Sequence, residues 1–224
     1  MSVLCWNRRG VGKAATVREV REFASKFTPT LLCIIETQIE GSRVESLAGT
    51  FGYDNSFAID SRGRSGGIGI FWNNEIKVEI LGYSDYHIDF SIEEDGLDPW
   101  RATVVYGEAQ THLRYKTWDT LKNISSSCNL PWLCIGDFNE ILRQEEQMGP
   151  NTRDSSQIAG FREAVDVCGL SDLGYKGLDW TFETRVTGGQ YCRVRLDRVL
   201  ATSSWSSLFP FASVEHLTAA KSDH

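Results

Sequence analysis

Short apolar runs in this chain stop, one after another, on a polar residue able to do chemistry. Val3-Leu4-Cys5-Trp6 ends on Asn7, and Leu31-Leu32-Cys33-Ile34-Ile35 ends on Glu36. Trp132-Leu133-Cys134-Ile135-Gly136 ends on Asp137, and Val194-Arg195-Leu196 ends on Asp197. Runs of this kind read as buried strands. In α/β proteins ligands lie outside strand ends, where rigid backbone aims a side chain. Several acids, an amide and the histidine of Ser222-Asp223-His224, displayed that way, point to a metal-assisted site for cleaving phosphate esters.

The 224 residues fit one large domain, and a hydrophobic content of 41% with 7 Trp and 11 Phe is ample for its core. No apolar run approaches the roughly 20 residues that span a bilayer, and Met1-Ser2 leads straight into the first strand. The expectation is therefore an intracellular protein, nuclear or cytoplasmic, with no secretory leader and no membrane partner. Six cysteines without a CxxC pair, three of them inside apolar runs, read as buried thiols in a reducing compartment. The net charge of −7 argues against a generic nucleic-acid binder, since neutralising phosphate takes local positive charge. Two segments supply it, or are ordinary solvated surface charge. Arg8, Arg9, Lys13, Arg18 and Arg21 outnumber Glu19 in residues 8–21, and Arg185, Arg193, Arg195 and Arg198 outnumber Asp197 in residues 185–198.

Between the runs, Thr16 and Glu19 have the spacing of a capping box for a helix with Val17, Val20, Ala24 and Phe27 on one face. Ser42 and Glu45 repeat it for a short helix ending near Gly52. Residues 53–106 read as an antiparallel meander of short strands. Helices are expected over about 111–126, 156–168 and 204–209, and a last strand over Ala212–Leu217. The natural assembly is one domain, two β-rich layers covered by helices.

Gly136-Asp137-Phe138-Asn139 is the sharpest motif. The carboxylate can handle a proton or orient a water, and the carboxamide can hold a phosphate oxygen without adding charge. Taken alone, it is also an ordinary Asp/Asn turn. Glu36 is a hard-oxygen ligand for Mg²⁺, or a strand-end acid paired with a nearby Lys or Arg. Asn7 can place its oxygen on the same metal or on the scissile phosphate, or serve as a turn entrance. His224 can donate to a developing phosphorane or act as a base, with Asp197 to fix its tautomer; otherwise it is a solvated terminal histidine. Tyr106, before Gly107, offers a hydroxyl to a phosphate or is a core tyrosine. Arg64-Ser65-Gly66-Gly67 lacks the Lys of a P-loop and reads as a strand-entry turn.

Cys5-Trp6-Asn7, Ile35-Glu36-Thr37, Ser65-Gly66-Gly67, Val105-Tyr106-Gly107, Gly136-Asp137-Phe138-Asn139, Arg195-Leu196-Asp197 and Ser222-Asp223-His224, in that order, resemble the endonuclease/exonuclease/phosphatase superfamily. Cys5-Trp6-Asn7-Arg8-Arg9-Gly10, Gly63-Arg64-Ser65-Gly66-Gly67 and the stretch from Leu130 to Glu140 are similar to the endonuclease domain of plant LINE-type (non-LTR) retrotransposons. The resemblance implies an α/β fold, a four-layer α/β sandwich of two packed mixed β-sheets flanked by helices, in a single domain over 1–224 ending at the catalytic histidine. It implies a divalent metal, Mg²⁺ or Mn²⁺ in its place, near Glu36 with Asn7 and Asp223. Asp137 would align or deprotonate the water or manage the leaving-group proton. Asn139 and Tyr106 would bind phosphate, and His224 with Asp197 would stabilise developing charge. Asn7, Arg193 and Arg195 would contact substrate.

The function implied is that of a monomeric, metal-dependent endonuclease that nicks DNA and leaves a 3′-hydroxyl. Repair-type members often carry an acid two positions after the first Asn, where this chain has Arg9, which points away from abasic-site repair. Two rivals share the motifs: a phosphatase for a small phosphorylated substrate, and a non-catalytic retroelement remnant that keeps the fold. Termini are weakly held unless tied down, so a histidine at the very end bears on which of these applies.

Overall fold

The computed structural model describes residues 1–63, 65–150, 152–186 and 189–218. Two compact units divide the chain, Met1–Tyr106 and Gly107–His224.

In the first unit β1 (Val3–Asn7) and β2 (Leu31–Ile35) run parallel, with Asn7 in register with Ile35. Parallel neighbours need a crossover, and α1 (Ala14–Phe27) makes it. β2 is buried at every position, the pattern expected of a strand covered on both faces. Two short helices follow, α2 (Gly41–Glu45) and α3 (Ala48–Phe51), the latter ended by Gly52 at φ +88°. β3 (Asn55–Arg62) and β4 (Ser65–Trp72) complete a sheet of order β1-β2-β4-β3, with β4 antiparallel to both its neighbours. β5 (Ile76–Ser84), β6 (His87–Glu94) and β7 (Trp100–Tyr106) form the expected meander. β7 lies against β2 and β4 and is buried throughout. Its one cation, Arg101, is held by Asp89 through Nε at 2.8 Å and Nη2 at 2.6 Å, so the buried charge is paired and hydrogen-bonded.

The capping box expected at Thr16 and Glu19 does not form. The helix begins earlier, at Ala14, with Lys13 before it and no side-chain cap. Thr16 is instead buried, and Glu19 accepts a hydrogen bond from Arg8 Nη2 at 2.8 Å.

The second unit contains α4 (Tyr115–Ser127), β8 (Trp132–Asp137), β9 (Gln147–Met148), α5 (Ser155–Val167), β10 (Leu170–Asp172), β11 (Phe182–Arg185), β12 (Tyr191–Val194), β13 (Asp197–Thr202) and α6 (Ser203–Leu208). β13 is antiparallel to β8 on one side and β10 on the other, while β11, β12 and β9 make a separate small sheet. α4 packs on α5, with Trp118 stacked on Phe161 at 4.4 Å and Phe161 on Phe138 at 5.4 Å. α5 is capped by Asp154, whose carboxylate accepts from Ser156 N.

The strand expected over Ala212–Leu217 is absent among the described residues, where this segment makes a single bridge between Glu215 and Lys176. Its backbone is engaged by the Lys176 turn instead, His216 N donating to Lys176 O at 2.8 Å. The architecture is mixed α/β, with large sheets of four and six strands flanked by helices. No helix among the described residues is long and apolar enough to cross a membrane.

Candidate active site

In the first unit, the parallel ends of β1 and β2 bring Asn7 and Glu36 onto neighbouring strands. The pairing continues past the strands: Arg8 N donates to Ile35 O at 3.0 Å, Gly10 N to Glu36 O at 2.9 Å and Val11 N to Thr37 O at 2.9 Å. From the other side Thr37 N donates to Gly67 O at 3.1 Å and Gln38 N to Gly66 O at 3.2 Å. Residues 36–38 are thus stitched between two strands, and the fit forces left-handed backbone at Glu36 (φ +60°) and Gln38 (φ +57°). Side chains other than glycine adopt this region at a cost, and such outliers cluster at functional sites.

Glu36 is 6% exposed and Asn7 2%. Two groups approach the Glu36 carboxylate loosely: Gln38 Nε2 donates to Oε1 at 3.3 Å, and Arg9 Nε stands 3.6 Å from Oε2. Gly67, at φ +82°, admits no side chain, because a Cβ there would overlap Thr37 Oγ1. Tyr106 closes β7, 7% exposed, its N–H donating to Tyr86 O at 2.8 Å.

In the second unit, Asp137 ends β8 and faces Asp197 at the start of β13 in register. Asp137 is 2% exposed. Its Oδ1 accepts from Asn139 N at 2.7 Å, which turns the chain and leaves Asn139 at φ +54°. Asn139 Nδ2 donates to Gly107 O at 2.7 Å, and Gly107 N returns a bond to Asp137 O at 2.6 Å. A Cβ on residue 107 would overlap the Phe138 carbonyl, so this close approach requires glycine. Across the sheet, Thr181 Oγ1 accepts from the N–H groups of Leu196 at 3.0 Å and Asp197 at 2.9 Å.

Four residues without an expected role hold this region. Glu140 is fully buried, accepts from Arg114 Nη1 at 2.5 Å, and has Arg153 Nε at 3.6 Å. Thr181, which accepts from Leu196 N and Asp197 N, is the fourth. Glu140 directly follows the motif, which is a signal of sorts; nothing in the sequence pairs it with Arg114.

The two arginines expected to contact substrate have different surroundings. Arg193 is partly exposed, donates to Glu183 Oε2 and stacks over Trp180 at 4.3 Å. Arg195 is 5% exposed. It donates to Asp172 Oδ1 at 2.8 Å, lies over Tyr175 at 4.3 Å, and shares Glu146 with the buried Arg198. Burial pushes the Glu146 carboxyl up, but the Arg198 hydrogen bond and charge, with the N–H groups of Leu142 and Arg143, hold it below the ordinary carboxylate range. Asp172 behaves alike: burial is outweighed by Arg195, the Gly174 N–H and Arg198. Arg64, Asp223 and His224 lie outside the described residues.

Among the described residues no three His, Cys, Asp or Glu side chains gather as a metal site. The expected donor set does not need them to. One carboxylate and one carboxamide on adjacent strand ends are hard oxygen donors, and Mg²⁺ is typically held by one or two carboxylates with water and phosphate completing the shell. Glu36 is buried yet loosely engaged, so its oxygens fit that role.

A model of the Endonuclease/Exonuclease/phosphatase family matches residues 3–224. A DNA-(apurinic or apyrimidinic site) endonuclease of Dictyostelium discoideum is 23% identical over 258 residues, an alignment covering 100% of this chain and 68% of that protein. Among solved structures, the endonuclease domain of TRAS1, a telomere-specific non-LTR retrotransposon, superposes with a TM-score of 0.66 at 15% identity, over 90% of this chain and 84% of its own. An AP endonuclease from Archaeoglobus fulgidus gives 0.69 at 16% identity, over 90% and 86%. The 3′ phosphatase NExo from Neisseria, bound to a product DNA hairpin, gives 0.67 at 12% identity, over 92% and 88%. At such identities the structural matches speak for the fold.

Proposed function

Because the chain belongs to the Endonuclease/Exonuclease/phosphatase family, we propose that it is a metal-dependent phosphodiesterase that nicks DNA in the manner of a retrotransposon endonuclease, leaving a 3′-hydroxyl. The observation that carries this reading is the backbone at two expected site residues. Glu36 and Asn139 sit at φ +60° and +54°, each held there by flanking hydrogen bonds. Strain of that kind clusters at sites aimed at a reacting group, and here it falls on polar residues at strand ends.

Glu36 and Asn7 would hold Mg²⁺, or Mn²⁺ in its place. When bound, the ion would neutralise phosphate charge and polarise the ester. Asp137 would orient or deprotonate the attacking water, or manage the leaving-group proton. One N–H of Asn139 Nδ2 is committed to Gly107 O, and the other would donate to a phosphate oxygen. The Tyr106 hydroxyl would donate to the same group, and His224, oriented by Asp197, would stabilise charge as it develops. Arg193, partly exposed and planar, suits a backbone phosphate of the DNA. Arg195, buried on Asp172, would serve by holding the strand that presents Asp197. The presence of Arg9 beside Glu36 favours the retrotransposon type over abasic-site repair.

Relaxation of supercoiled plasmid tests the reading. Wild type with Mg²⁺ should yield open circles whose ends a polymerase extends, and EDTA or Glu36→Ala should abolish them. Identical, metal-independent traces for wild type and Glu36→Ala would support the remnant. Turnover of small phosphate monoesters that DNA does not inhibit would support the phosphatase.

A further inference from the structure

The loop that carries Glu36 runs on into a cleft with no part in the chemistry above. α1 rests on α3, and a cavity of about 480 Å³ opens where residues of α1, α2 and α3 meet. Val17, Ile39 and Leu47, each half-buried, give it an apolar lining, while Arg18, Arg21 and Arg43 stand exposed around it. Arg18 and Arg21 are three apart on α1 and so share a helix face.

The three arginines form no ion pair with a carboxylate among the described residues. Several other arginines are paired: Arg8 with Glu19 at 2.8 Å, Arg62 with Asp85 at 2.6 Å and Arg114 with Glu140 at 2.5 Å. Glu22 and Glu40 lie close in sequence to the cleft, and neither pairs with its arginines. In a chain of net charge −7, three uncompensated guanidinium groups on one cavity make a local excess of positive charge that an anion would relieve.

The anion can be specified further. A guanidinium presents a planar fork of donors that matches phosphate oxygens. A terminal phosphate offers three acceptor oxygens and about two charges, enough to engage several forks, whereas a carboxylate offers two oxygens and one charge. The cavity lies within the roughly 300–1,000 Å³ of small-molecule sites, and its apolar lining suits a ring system. We propose that this cleft binds one nucleotide, its phosphate on Arg18, Arg21 and Arg43 and its base against Val17, Ile39 and Leu47. The nucleotide is either free or part of a nucleic-acid strand. Choosing a nucleotide over another phosphate rests on the DNA reading above; the phosphate site itself does not.

Calorimetric titration without divalent metal, so that no turnover occurs, tests the proposal. The probes are deoxynucleoside monophosphate, inorganic phosphate, a short single-stranded oligodeoxynucleotide and an acidic peptide. Wild type should bind the monophosphate, and the double variant Arg18→Gln/Arg43→Gln should bind it at least about tenfold more weakly. Leu47→Glu, which sets a carboxylate in the apolar lining, should weaken it as well. A matching loss with the oligonucleotide identifies the strand as the source, and a loss confined to the monophosphate identifies the free nucleotide. Circular dichroism confirms that the variants fold, and Arg18→Lys/Arg43→Lys keeps charge while removing the forks. Equal nucleotide binding by wild type and the Gln double variant overturns the proposal, as does binding of the acidic peptide in place of the nucleotide. Loss of nicking in Glu36→Ala with nucleotide binding intact separates the fate of this site from that of the catalytic reading.

Discussion

Asp137 and Asp197 stand opposite each other across β8 and β13, so both carboxylates leave the sheet on the same face. The backbone around them is held by Gly107 N on the Asp137 carbonyl and by Thr181 Oγ1 on the Asp197 N–H, and the bond that Asp137 Oδ1 accepts from Asn139 N can be accepted by an amide oxygen as well. Asp137→Asn should therefore keep the fold, changing unfolding free energy by no more than about 1 kcal/mol. It should lower nicking roughly 10²–10⁴-fold. Urea unfolding and plasmid relaxation on one preparation check this; parallel loss of fold and activity would mean that Asp137 is structural.

Arg9 Nε, 3.6 Å from Glu36 Oε2 and on a side chain 54% exposed, competes with any cation for that carboxylate. With the arginine largely in solvent and the contact this long, the pair is worth about 0.2–1 kcal/mol. Arg9→Gln should then tighten Mg²⁺ binding roughly two- to fivefold by calorimetry. Unchanged affinity would place the metal elsewhere than Glu36.

Gly67→Ala combines a left-handed φ of +82° with a Cβ that overlaps Thr37 Oγ1. The expected loss is roughly 2–5 kcal/mol, from backbone strain and overpacking together. Adding Thr37→Ala should restore the packing part and leave the backbone part. Full rescue in chemical denaturation would show that φ at this position carries no cost.

The Glu146–Arg198–Asp172–Arg195 cluster should dominate acid sensitivity. Both carboxyls titrate below their ordinary range when folded. Their contribution is therefore complete above the unfolded carboxylate range, and it is lost as pH falls through the depressed folded values. Arg198→Met should cost about 1–3 kcal/mol near neutral pH, because the half-buried Glu146 and Asp172 each lose one of their two arginines and keep only Arg195. It should also flatten the acid limb of a urea-midpoint profile. An acid limb as steep as that of wild type would assign it to other groups.

Glu36 and Asp137 were legible in the sequence because an apolar run must be buried, and the residue that follows must emerge where the strand ends. The left-handed backbone at Glu36 was not legible, since no glycine marks it; it arises where residues 36–38 bond to Gly10, Gly66 and Gly67, brought there by distant segments. Asn139 turns on the local bond from its N–H to Asp137 Oδ1, which the Asp/Asn spacing does announce. Arg195 reads as surface charge, yet it is buried because Glu146 and Asp172, 49 and 23 residues away, meet it in three dimensions. The capping pattern at Thr16 failed because tertiary burial of Thr16 and the pull of Arg8 on Glu19 outweighed a local preference. Short pairings such as β9 and β10, of two and three residues, leave too little periodicity to see.

On the proposed reading of the site, the positive φ values at Glu36 and Asn139 set thermal tolerance against activity. Glycine would relax either position, so a laboratory screen that rewards heat resistance alone should favour substitutions there early. Survivors of such a screen would be sturdier proteins stripped of their donors. A library selected for hardiness would then identify the business end of this molecule by what it discards.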